Sequence, residues 1–338
     1  MATRGYSGYK GRKSPWKIVA AILLVLVILA AAGVLVLQKY LVYDASGTPH
    51  LRLPGQEERQ DPTSSGASSS GDASSSEDLG PVDVTIDQPE RKSVLGYLLT
   101  APDADLTPYL APDGDLNAVA VTLKGADGQL RTDWQDDETL KSILADESRH
   151  TIARISCFLD GQSARSQVKE MGLENTGGYI FYDAANRNWL DPGKPAAREF
   201  LLDLIRQAAE AGFDEILLTE VCYPTEGKLD KIAYSADRTE SLTLFLTEAR
   251  AALADYPGVT LSVAVTDTLL LDGEDGTSGQ SLSGFAALAD AIYALCEGGD
   301  YDDAKAAVAE AAGGRTTAFV AFFDGVGYPP EEYLIPEA

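Results

Sequence analysis

The sequence predicts an α/β protein: a (β/α)8-like barrel preceded by one transmembrane helix and a disordered linker. Three observations predict it. Residues 18–37 form an uncharged apolar run, residues 61–78 are rich in serine, and from Ser93 onward short apolar runs alternate with helical patterns. Strand–helix alternation sustained over about 245 residues builds a parallel sheet with helices outside it.

Residues 1–17 read as a basic cytoplasmic tail, with Arg4, Lys10, Arg12, Lys13 and Lys17 and no acidic side chain. Ile18 to Leu37 follows with twenty apolar or small residues. At about 1.5 Å per residue a helix of that length crosses the roughly 30 Å hydrocarbon core of a bilayer. The basic flank keeps the N-terminus inside and sends the rest of the chain out. Residues 18–40 are therefore expected to be a signal anchor in the cell membrane. Cleavage near Gly33, after Ala30-Ala31-Ala32, is the other reading. Apolar residues continue past that point to Leu37, which favours the anchor. Both readings place the C-terminal domain outside the cytoplasm.

Residues 41–90 are expected to be a disordered linker. The stretch 61–78 holds eight serines and no large apolar side chain, so it cannot bury enough surface to offset its ordering entropy. The remaining residues, 91–338, form the barrel domain. Its strand candidates are Val94–Leu99, Ala118–Leu123, Thr151–Phe158, Glu215–Val221, Thr260–Val265, Ala291–Leu295 and Thr316–Phe323. A distorted eighth fits near Tyr333–Ile335. Helix candidates lie at about 137–146, 195–211, 239–255, 282–289 and 302–312. The clearest has Pro195 in its first turn and Gly212 as its stop. A doubly wound open sheet is the alternative architecture, but no glycine-rich phosphate loop follows the first strand.

Composition excludes several chemistries. Residues 1–40 carry six Lys/Arg and no Asp/Glu, which leaves 21 basic against 52 acidic residues after them, a net of −31. Such a domain repels nucleic acid and anionic headgroups. The two histidines, His50 in the linker and His150 at a strand start, supply no Ser-His-Asp triad, Cys-His pair or His-rich zinc site. Cys157, Cys222 and Cys296 are widely spaced and read as small buried hydrophobes. Acidic residues are abundant but form no recognisable metal loop, so no metal and no cofactor are expected. Any chemistry falls to carboxylates.

Five segments resemble one family. They are NAVAVTLKGADGQL (117–130), TIARISCFLD (151–160), NWLDP (188–192), AGFDEILLTEVCYPTEGKLDKIAYS (211–235), and LSVAVTD through GQSLSGFAALADAIYAL (261–295). In that order they resemble a glycoside-hydrolase barrel family first described as a domain of unknown function. The resemblance implies a TIM-like barrel with its cleft at the C-terminal strand ends, and a cell-envelope polysaccharide or oligosaccharide as ligand. It also implies Asp at three strand ends where this sequence has Thr122, Thr219 and Ala264. The family's motif arginine is Cys222 here, whereas Lys124 and Arg154 match the pattern.

Glycoside hydrolysis ordinarily needs a carboxyl as acid and a second as nucleophile or base. Thr and Ala can do neither. Carboxylates stand one residue away at Glu220 and next to the fifth strand at Asp267, and Asp183 lies in the loop after the third. A one-residue offset on a strand turns a side chain from barrel interior to helix layer. A bulge or early strand end would return Glu220 to the cleft. The candidate catalytic residues are thus Glu220, Asp267 and Asp183, each also readable as a rim, cap or turn carboxylate. Candidate ligand contacts are Lys124, Arg154, Tyr182, Trp189, Thr219 and Tyr223. Lys124 shares strand parity with Thr122, so both are expected to face inward, and the aromatic rings either stack on sugars or build the cleft wall.

Three functions follow. The first is a membrane-anchored, extracellular glycoside-hydrolase-like domain that binds carbohydrate and is catalytically weak or dead, a pseudoenzyme. The second is an active glycosidase using Glu220 with a second carboxylate. The third is an envelope scaffold whose barrel binds a protein partner.

Overall fold

The computed structural model describes residues 41–43, 49–51, 91–111, 114–132, 134–296, 300–326 and 329–337. The chain divides into two units, residues 1–83 and 84–338. In the first, Leu41–Tyr43 pairs antiparallel with Pro49–Leu51, inside the stretch assigned to the linker. The expected transmembrane helix at 18–40 and the rest of the linker lie outside the described residues. Among the described residues no helix is long and apolar enough to cross a membrane.

The second unit is a closed barrel of eight parallel strands. They are β1 (Leu95–Leu99), β2 (Ala118–Lys124), β3 (His150–Ser156), β4 (Glu215–Thr219), β5 (Thr260–Ala264), β6 (Ala291–Leu295), β7 (Ala318–Phe322) and β8 (Tyr333–Glu337). Each pairs with the next in sequence, and β8 closes on β1 from Tyr333↔Leu95 to Glu337↔Leu99. That closure rules out the open-sheet alternative. Helices α1 (Glu138–Leu144), α2 (Gly161–Ser166), α3 (Pro195–Ala211), α4 (Arg238–Ala252), α5 (Asp267–Asp272), α6 (Leu282–Ala286) and α7 (Tyr301–Ala311) fill the connections.

Helix α3 has the limits its sequence signals. Pro195 occupies the first turn, where its missing N–H costs nothing, and Gly212 ends the helix at φ 99°. Two short helices carry no apolar period and were not expected. Each is held by its cap: the Asp160 carboxylate accepts from Ser163 N at 2.7 Å, and the Thr266 hydroxyl from Leu269 N at 3.2 Å.

Alternation along the strands makes two cores. One parity faces the helices, through residues such as Val121, Ile155, Ile216, Leu218 and Val263 packed against Leu201, Ile205 and Phe245. The other fills the barrel, with Leu98, Ala120, Ile152, Leu217, Tyr293, Val320 and Leu334. Gly96 belongs to this inner row, and a Cβ there would stand 1.9 Å from the Ala118 carbonyl oxygen on β2. No other residue lets the first two strands approach so closely.

The barrel's N-terminal end holds a buried polar network. His150 Nε2 lies 2.7 Å from Glu215 Oε2, and Tyr293 donates its hydroxyl to Glu215 Oε1 at 2.7 Å. Arg91 binds Glu332 Oε2 at 2.6 Å, and the same oxygen accepts from Val94 N. Burial alone would raise the Glu215 pKa. Hydrogen bonding and charge from His150, with help from Arg91 and Ser262, overcome that and hold it at about 2.

Candidate active site

The inner parity of each strand, followed to its C-terminal end, leads to Arg154 on β3, Thr219 on β4 and Ala264 on β5. These three line a cavity of ≈ 440 Å³ at the barrel mouth, with Leu98, Leu295, Phe322 and Pro336 as apolar wall. Thr100, Thr266 and Gln280 add polar edges, and Cys222 and Glu220 complete one side.

Glu220 reaches this cavity because β4 stops one residue early. The strand ends at Thr219, and Glu220 takes φ 51°, a left-handed conformation rare for a residue with a side chain. Such a backbone costs about 1–3 kcal/mol and persists only where its surroundings over-determine it. They do so here. Phe158 N donates to the Glu220 carbonyl at 3.2 Å, Gln280 Nε2 to the Val221 carbonyl at 3.2 Å, and Tyr223 N to the Ser278 carbonyl at 2.9 Å. The Glu220 carboxylate accepts from the Thr219 hydroxyl and lies 3.6 Å from Arg154 Nη2.

Arg154 is held from behind, its Nη1 donating to Thr122 Oγ1 at 3.3 Å and to the Thr100 carbonyl at 3.4 Å. Thr122 is fully buried and gives its own hydroxyl to the Leu99 carbonyl at 2.7 Å. Lys124 does not line the mouth. A register shift between Thr122 and Lys124 re-aims it into a fully buried ion pair with Asp160, Nζ to Oδ2 3.1 Å, where it also donates to the Ser156 carbonyl at 2.7 Å.

The other candidates are dispersed. Asp183 is buried in its own loop, where its carboxylate accepts from Ala185 N, Arg187 N, Arg187 Nε and Trp189 Nε1 at 2.8–3.1 Å. These donors hold it below the usual carboxylate range against the opposing push of burial. Asp267 opens α5, exposed, and lines a neighbouring cavity of ≈ 500 Å³ that shares Leu295 with the mouth. Trp189 is buried against Asp183. Tyr223 is fully buried, its hydroxyl 3.3 Å from Asp191. Tyr182, 48 % exposed, lines a third cavity with no residue in common with the mouth.

Among the described residues lining the mouth, Glu220 is the one carboxylate. Cys222 beside it is a thiol and not a thiolate, because burial, then Glu220 and Asp275, push its pKa to about 12. The arrangement presents the charged groups of Arg154 and Glu220 to a polar ligand over an apolar floor, with Gln280 fixing the backbone beside them. Gln280 and Phe322 were not legible beforehand. Gln280 arrives from the α5–α6 connection, whose sequence carries no periodic signal.

A family model described as "Putative glycosyl hydrolase domain" matches residues 108–311. Among solved structures, a hypothetical protein from Ruminiclostridium thermocellum is 24% identical, with TM-score 0.42, over 50% of this chain and 96% of its own. The glycoside hydrolase domain of PelA from Pseudomonas aeruginosa is 14% identical, with TM-score 0.41, over 68% and 83%. Ega3 from Aspergillus fumigatus, in complex with galactosamine, is 13% identical, with TM-score 0.39, over 74% and 85%. No curated protein matches the sequence. The family model spans more than half of the chain, which therefore belongs to this glycosyl hydrolase domain family.

Proposed function

We propose that the barrel binds a cell-envelope carbohydrate at its C-terminal mouth and hydrolyses it weakly or not at all. One observation carries this reading. Among the described residues the mouth is lined by a single carboxylate, already engaged by Arg154 and Thr219, where glycoside hydrolysis ordinarily calls for two. Thr219 and Ala264 line the same cavity and can neither move a proton nor carry a glycosyl ester. The apolar run at 18–37 and its basic flank support a tether that holds the domain outside the cytoplasm, beside the glycans of the envelope. An open mouth argues against a barrel serving only as a protein scaffold.

A second reading, an active glycosidase, is favoured by the left-handed backbone that turns Glu220 into the cavity, with Asp267, in the cavity that shares Leu295 with the mouth, as a candidate for its partner. Two substitutions separate the readings. With cell-envelope oligosaccharides, Glu220→Gln is expected to leave a slow hydrolysis rate unchanged. A loss of about 10²-fold or more would make Glu220 a proton donor or nucleophile and overturn the binding reading. Restoring Thr219→Asp together with Ala264→Asp is expected to raise hydrolysis above wild type, because it returns a carboxyl pair to the cavity.

A further inference from the structure

The cavity that holds Tyr182 lies between the loops after β3 and β4, on the same end of the barrel as the mouth but sharing no lining residue with it. Its volume, ≈ 600 Å³, is within the range of about 300–1,000 Å³ usual for ligand pockets. We propose that it is a second saccharide subsite, taking a neutral pyranose ring of a glycan whose neighbouring residues reach the mouth. This rests on the carbohydrate reading above and extends it to a polymer gripped at two places.

The pocket is built rigidly. Asn175 and Glu174 pair antiparallel with Ile232 and Ala233, and Thr176 N donates to the Lys231 carbonyl at 2.8 Å, so the two loops form one wall. Gly227, at φ 104°, lets the second loop touch the first backbone to backbone, for a Cβ there would stand 3.1 Å from Ala184 N. Asp183 holds the rest of the first loop through its four donors. A site held this way spends little binding energy on ordering itself.

The lining fits a sugar ring. Tyr182 offers a half-exposed aromatic face, on which the C–H face of a pyranose packs by dispersion. Asn175, Thr176 and Lys228 surround it with hydrogen-bonding groups for hydroxyls. Charge points to a neutral ring. The Asp183 carboxylate is saturated, and Lys231 is paired with Asp230 at 2.8 Å. Lys228 alone has no ion-pair partner among the described residues of the lining, while a net of −31 beyond residue 40 repels an anionic polymer.

The test titrates the full chain with cellohexaose, chitohexaose and maltohexaose, and with the matching disaccharides, by calorimetry. For the hexasaccharide that binds, Tyr182→Ala is expected to weaken affinity about tenfold, Tyr182→Phe to retain it, and the disaccharide affinity to stay unchanged in both. Tyr182 is exposed, so its loss leaves the fold intact, and an unchanged melting temperature checks this. A hexasaccharide affinity within twofold of wild type in Tyr182→Ala overturns the second subsite and leaves the mouth reading standing. Absence of binding by all three sugars at millimolar concentration overturns the neutral-pyranose subsite, and cell-envelope oligosaccharides then test the mouth reading by itself.

Discussion

Lys124→Ala is expected to destabilise the barrel by about 3–5 kcal/mol, the usual cost of removing one partner from a buried ion pair. The ammonium and the Asp160 carboxylate are both wholly shielded from water, so the substitution strands a charge with no solvent to receive it. The loss also frees the Ser156 and Cys157 carbonyls at the end of β3. In a domain of this size that amounts to a fall in melting temperature of about 6–20 °C. Asp160→Asn combined with Lys124→Met should cost less than Lys124→Ala alone, because no charge remains buried. A thermal melt that moves by less than about 2 °C, accompanied by loss of sugar binding, would return Lys124 to the ligand contacts.

Glu215 is the second position with a large effect. Replacement by Ala leaves His150, Tyr293 and Arg91 facing an empty site in the closed end of the barrel, again at about 3–5 kcal/mol. The carboxyl also links stability to pH. Its folded pKa, about 2, lies below an unfolded value near 4.3. The native state therefore gains from this group at every pH above about 4.3, and the gain is lost as pH falls from there to 2. The difference corresponds to on the order of 3 kcal/mol. Urea denaturation between pH 6 and pH 2.5 checks it: Glu215→Gln should show a shallower decline than wild type. Parallel declines would place the acid sensitivity elsewhere.

Strand placement was legible because each barrel strand is short, apolar and bounded by turn residues. The eighth was legible only by counting, since Tyr333–Glu337 holds a proline and a terminal Glu and lacks a clean alternation. The mouth was harder to read for a local reason. Parity correctly carries Arg154, Thr219 and Ala264 to the cavity, but it breaks at two points that no periodicity marks. One is the left-handed Glu220, which the chain's contacts after β4 impose. The other is the shift between Thr122 and Lys124, which depends on a carboxylate, Asp160, some 36 residues further on. Aromatic candidates divided for a similar reason: Trp189 bonds to buried Asp183 of its own loop and Tyr223 to buried Asp191 of the neighbouring one, while Tyr182 keeps an open face.

The seam between β8 and β1 sets the order in which the molecule can be completed. Every other strand pairs with the one made just before it, but Thr100 N–H meets the Glu337 carbonyl across 237 positions of sequence. A ribosome adding roughly 5–20 residues per second delivers the second edge of that seam about 10–50 s after the first. Through that interval β1 presents unpaired N–H and C=O groups to any strand that comes near, including a second nascent copy. The barrel therefore cannot close before its last strand is made, and any sheet that forms earlier keeps one unpaired edge at β1.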